Sequence, residues 1–129
     1  MKKQQLQKTQ GFEQLLAWQK AQDLAVYIYE LTKDFPSEEK FALTSQIRRA
    51  VTSVSANIAE GYGRRSAKDK IQFYTIGYGS LLELKSHLHL AVRLGYLQKE
   101  LFNTAVDKII DVQKLINALI SSIRRNDST

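Results

Sequence analysis

Arg48, Arg49, Arg64, Arg65, Lys68 and Lys70 all lie between Ser45 and Lys70, where the only carboxylates are Glu60 and Asp69. Cationic groups concentrated in this way attract polyanions, with nucleic acid the obvious candidate. The chain as a whole has 129 residues, a net charge of +6 and a pI near 9.6. Arg48, Arg64, Arg65, Lys68 and Lys70 are the candidate nucleic-acid contacts, acting mainly on phosphates. The alternative is a basic balance that serves solubility alone.

A second polar set is spaced differently. Gln46, Arg49, Ser53, Asn57, Glu60 and Arg64 recur every three or four residues, so they share one face of a helix. Ser80, Glu83 and His87 form an answering set. If the chain reverses near Gly63, Arg49 comes level with Glu83, which predicts a partly buried bridge between them. A solvated face with no fixed pairing is the alternative. Gln46, Arg49, Asn57, Glu60, Ser80 and Glu83 are assigned to structure rather than to ligand contact.

Catalytic equipment is sparse. The chain has no cysteine, which excludes disulfides and thiolate metal sites and fits a reducing cytoplasm. His87 and His89 are the only histidines and point to different faces of one helix. Glu83 and His87 are four apart, but no matching pair recurs elsewhere, as a di-iron bundle would require. Gly61-Tyr62-Gly63 and Gly77-Tyr78-Gly79 follow no strand, and no phosphate-loop lysine motif is present. The expectation is therefore no metal, no cofactor and no enzymatic activity. The basic start, Met1 to Lys8, lacks the apolar stretch of a secretory signal. No apolar run approaches the roughly 18 residues of a membrane span. A cytoplasmic protein without membrane contact is expected.

The elements that must position these residues follow from punctuation. One proline, Pro36, and glycines at 11, 61, 63 and 95 divide the chain into four amphipathic segments. The first runs from about Glu13 to Asp34, with Trp18, Ala21, Leu24, Ala25, Ile28 and Leu31 inward. The second begins at a Ser37 N-cap, runs to about Glu60, and turns Leu43, Ile47, Ala50, Val51, Val54 and Ile58 inward. A Ser66 cap opens the third, whose seam is Tyr74, Gly77, Leu81, Leu84, Leu88 and Ala91, ending at Gly95. The fourth runs from about Gln98 to Arg124 on Leu101, Ala105, Ile109, Val112, Ile116, Leu119 and Ile123. Four such helices joined by short loops make an all-α, antiparallel up-down-up-down four-helix bundle, one domain over 1–129. Residues 1–11 and 125–129 are expected to be a flexible extension and tail. Ser53, Ser55, Ala56, Ala59, Gly77, Gly79 and Ser80 permit close helix approach, and Tyr62, Tyr74 and Tyr78 are candidate interface anchors.

Trp18-Gln19-Lys20-Ala21, Phe35-Pro36 with Glu39, and Gln46-Ile47-Arg48-Arg49-Ala50 carry a resemblance. So do Ala56-Asn57-Ile58-Ala59-Glu60-Gly61 with Arg64, Gly79-Ser80-Leu81 with Glu83-Leu84, and Leu94-Gly95-Tyr96-Leu97. From Phe12 to about Leu119 the chain resembles the bacterial four-helix-bundle proteins encoded by intervening sequences in 23S ribosomal RNA genes. The resemblance implies a bundle that assembles into a homopentamer. It also implies kinship with an accessory protein of diversity-generating retroelements, a basic ring that binds its reverse transcriptase and nucleic acid. Ser55 stands where the family often has proline, and Gly77 and Lys85 stand where alanine and glutamate are common. The leading expectation is a non-enzymatic homo-oligomer whose basic surface binds RNA or DNA. The alternative is a protein-interaction scaffold, for example an accessory subunit of a reverse transcriptase, with no direct nucleic-acid role.

Overall fold

Apolar side chains spaced every three or four residues can be buried only if several helices bring their stripes together. The computed structural model, which describes residues 11–127, contains α1 (Leu16–Thr32), α2 (Leu43–Tyr62), α3 (Ala67–Arg93) and α4 (Lys99–Asp127). No strand occurs among the described residues. Contacts across each helix pair set its direction. Between α1 and α2, Gln22 meets Ser55 and Thr32 meets Arg48. Between α2 and α3, Gly77 faces Val54 and Asn57, while Gly61 lies against Tyr74. Between α3 and α4, Gly77 reaches Ile116 and His89 packs on Phe102. Lys20 and Asp23 share a recess with Lys108 and Asp111, whereas Tyr27 reaches Leu101. In every pair one number rises as the other falls. Neighbouring helices therefore run antiparallel, and α4 returns beside α1.

Leu24, Ile28, Ile47, Val51, Val54, Ile58, Leu81, Leu84, Leu88, Ile109, Val112 and Ile116 are fully buried. Each contributes roughly 1.5–3 kcal/mol by leaving water. These are the expected inward faces, with one slip of register at the start of α4. There Phe102 is buried and Leu101 is 43% exposed. The larger ring takes the core position against His89, and the chain rejoins the expected face at Ala105.

The helix ends differ more. Phe12–Gln14 is a 3-10 turn, and extended Leu15 separates it from α1, so the first helix starts later than expected. Ser37 caps nothing: Ser37–Glu39 is another 3-10 turn after Pro36, and α2 opens only at Leu43. The position three residues after Ser37 is Lys40, which cannot supply the reciprocal acceptor of a capping box. Glu39 acts instead. Its Oε1 accepts the Leu43 N–H at 3.3 Å and its Oε2 accepts the Tyr96 O–H at 2.8 Å. That hydrogen bond to Glu39 holds the Tyr96 phenol above its ordinary pKa.

Ser66 does cap α3, its Oγ accepting from the Asp69 N–H at 3.1 Å. Gly95, at φ +81°, ends the same helix. Tyr96 N–H returns to the Ala91 carbonyl and Gly95 N–H to Val92. Of the expected C-terminal tail, residues 125–127 are helical as the end of α4, and 128–129 lie outside the described residues. Of the expected N-terminal extension, residues 1–10 lie outside the described residues, and Gly11 accepts the first turn's hydrogen bond from Gln14.

Candidate nucleic-acid interface

The antiparallel order brings three chain segments to one end of the bundle: the end of α2, the start of α3 and the last turn of α4. Arg64 and Arg65 lie in the α2–α3 turn, and Lys68 and Lys70 in the first turn of α3. Arg65, Ala67 and Lys70 border a recess of about 310 Å³ together with Ile123 and Asn126 of α4. Arg124 and Arg125, in the last turn of α4, therefore join the same end. Among the described residues, these six cations outnumber the nearby carboxylates Glu13, Glu60, Asp69 and Asp127. Arg124 and Arg125 are not among the sequence candidates. The up-down order alone could have found them, since it returns the last helix to the first turn's end.

The four turn cations are not equally free. Arg64 pairs with Glu60 at 3.3 Å and lies 4.5 Å over the Phe73 ring. The Lys70 ammonium donates to the Tyr62 carbonyl at 2.7 Å, tying down an otherwise unpaired carbonyl at the end of α2. Arg65 and Lys68 are exposed and have no carboxylate partner among the described residues. Phe12, half-buried, borders a further recess of about 530 Å³ with Glu60, Gly63 and Arg64. Tyr62 is exposed, with Lys70 5.5 Å from its ring. Aromatic faces interleaved with cations suit both phosphates and unstacked bases.

Arg48 is not part of this cluster. It lies roughly 24 Å along the helix direction from Arg64, at 1.5 Å per residue. Its Nε donates to Thr32 Oγ1 at 2.9 Å and its Nη2 to the Tyr29 carbonyl at 3.3 Å, with the guanidinium 4.5 Å over the Tyr29 ring. These contacts tie the end of α1 to α2.

The polar stripe is divided between the helix interface and water. Ser53 and Ser80 hydroxyls meet at 2.8 Å, and Asn57 Nδ2 donates to the Ser53 carbonyl and hydroxyl at 2.8 and 3.0 Å. That network joins α2 to α3. Arg49 and Glu83 do not form the expected bridge. Arg49 donates to Gln46 at 3.1 Å and Glu83 faces His87 at 3.4 Å. Both border a common recess of about 270 Å³ that is open to water. There a neighbour on the same helix serves each charge as well as a cross-helix partner would. Ser55, which the sequence groups with the small residues, is buried and accepts from Gln22 Nε2 at 2.9 Å.

Tyr74 is not an interface anchor. It is 2% exposed, and burial, then Tyr62, raises its pKa. Among the described residues, no cluster of histidine and carboxylates could hold a metal ion. None of their helices is long and apolar enough to cross a membrane.

Residues 13–118 match the profile of the 23S rRNA-intervening sequence proteins. Among solved structures, the chain is similar to a protein of unknown function from the S23 ribosomal protein family of Bacteroides thetaiotaomicron VPI-5482. The two share 29% identity and a TM-score of 0.75 over 81% of this chain and 98% of the other. Among curated proteins nothing matches. Neither description names an enzymatic activity. The chain belongs to the 23S rRNA-intervening sequence protein family.

Proposed function

We propose that this family member is a non-enzymatic, self-associating cytoplasmic helical module whose basic end binds the phosphates of RNA or DNA. The supporting observation is the convergence of Arg64, Arg65, Lys68 and Lys70 with Arg124 and Arg125, from two separate parts of the chain, at one end of the bundle. Fluorescence anisotropy with a short RNA duplex across a salt series tests the reading. Counterion release gives an affinity that falls linearly on logarithmic axes, with a slope near the number of phosphates neutralised. No binding even at low salt overturns it.

Self-association rests on a different surface. On the outer side of α3, Ile76, Leu82, Leu90 and Leu94 are each about half exposed. Gly79 lies on the same side, with no atom of the described residues within 4 Å of where its Cβ would be. A helix-interior glycine costs about 1 kcal/mol relative to alanine. No contact with the described residues explains it, and close approach by the α3 face of a second copy would. Light scattering should give a multiple of the 14.8 kDa chain mass, five-fold by the family resemblance, and Leu82→Glu should reduce it. A monomeric wild-type mass overturns this part. The same apolar face favours the scaffold reading, which stands if the chain assembles but no nucleic acid binds.

A further inference from the structure

At the opposite end of the bundle, Thr44 is 6% exposed, and its hydroxyl alone among the described buried side-chain polar atoms has no hydrogen-bond partner. An unpaired buried hydroxyl is unfavourable, so such a group calls for a partner. Thr44 borders a recess of about 310 Å³ between the α1–α2 connection and the first turns of α2. The charged residues lining it are Lys33, Lys40 and Arg48, all cationic, with Ser37 beside them. Of the nearby carboxylates, Glu39 is engaged with the Leu43 N–H and the Tyr96 hydroxyl, Glu30 pairs with the lining Lys33 at 3.0 Å, and Asp34 and Glu38 are exposed on the same connection. None of these four carboxylates lines the recess. Arg48 spends two of its five N–H donors on Thr32 and Tyr29. Thr44 is also the second residue of a 20-residue helix whose N-cap, Ala42, offers no side-chain acceptor; the Glu39 carboxylate accepts the Leu43 N–H there, and the other first-turn N–H groups add to the positive potential of this helix end.

We propose that this recess is a binding site for a small oxyanion, inorganic phosphate or a phosphate monoester, with the Thr44 hydroxyl as a hydrogen-bond donor to it. Threonine in a helix populates two χ1 rotamers, and one rotation exchanges its methyl and hydroxyl positions. That rotation lets the hydroxyl meet a ligand entering the recess. A volume near 310 Å³ is at the small end of ligand pockets, which suits a small phosphorylated molecule.

Calorimetric titration of the full chain with inorganic phosphate and with glycerol phosphate, against chloride at matched ionic strength, tests this site. Saturable binding is expected in the wild type. Thr44→Val and Lys40→Glu should each weaken it about tenfold, and Thr44→Ser should retain it. Arg65→Glu/Lys68→Glu, which removes phosphate contacts proposed for the other end, should keep the Thr44-dependent binding. The proposal is overturned by no saturable binding in the wild type or by wild-type affinity in Thr44→Val. It is equally overturned if all saturable binding is lost in Arg65→Glu/Lys68→Glu, which would place the phosphate at the basic end alone.

Discussion

Replacing Arg65, Lys68 and Arg124 together by glutamate should weaken RNA binding at low salt by about 100-fold or more. It should also lower the salt slope by about three, one unit for each phosphate left without its cation. All three side chains are exposed, and none is paired with a carboxylate among the described residues. Reversing them therefore removes field without removing an ion pair that supports the fold. Surface changes of this kind usually shift stability by no more than about 0.5 kcal/mol each. Anisotropy and thermal melting on one preparation should show weaker affinity with folding kept. Arg48→Glu is the opposite case. It breaks the Thr32 and Tyr29 hydrogen bonds, so it should lower the melting temperature and leave the RNA salt slope unchanged. An unchanged slope in the triple variant would remove the basic end as the binding surface.

Helix number, order and most inward faces are legible in the sequence because burial requires periodicity, and the stripes from Leu43 to Ile58 and Tyr74 to Ala91 are regular. Helix ends depend on single side chains and are less legible. Ser66 with Asp69 is a local signal and caps as expected. Ser37 looks similar, yet α2 is supported by Glu39, which is itself held by Tyr96 far along the chain. No local pattern contains that contact. The same limit separates Arg48 from the basic turn. Clustering along the chain groups Arg48 with Arg64, but a straight helix holds them apart, while Arg124, distant in sequence, comes near. Arg49 and Glu83 share a recess as the register requires, but register does not decide pairing: an exposed charge with a partner on its own helix gains little from crossing a groove.

Gly61→Ala should be the most damaging conservative change near the basic turn, lowering stability by about 2 kcal/mol. A methyl there would lie 2.6 and 2.8 Å from Tyr74 ring carbons and 3.2 Å from the Lys70 carbonyl. The Tyr74 ring is 2% exposed, so it has no open space to swing into, and the Lys70 carbonyl belongs to the α3 backbone. The methyl must tilt the ring or push α2 from α3. Alanine's better helix propensity offsets little, because Gly61 is next to the last residue of α2. A fall in melting temperature of roughly 5–10 °C is expected for a domain of this size. Adding Tyr74→Leu should recover part of the deficit, giving a favourable coupling in the double-mutant cycle. Gly77→Ala is the internal control, since its added methyl would meet neighbours only at 3.5–3.9 Å, which is ordinary packing distance. If Gly61→Ala melts like the wild type, ring and backbone are not closely packed there. If it melts low as expected, RNA affinity should fall with it. Lys70, whose carbonyl the methyl presses, is also the residue whose ammonium holds the Tyr62 carbonyl at the end of α2. The glycine thus sets where the basic turn sits, and Arg64 and Arg65 depend on it for their position rather than for their charge.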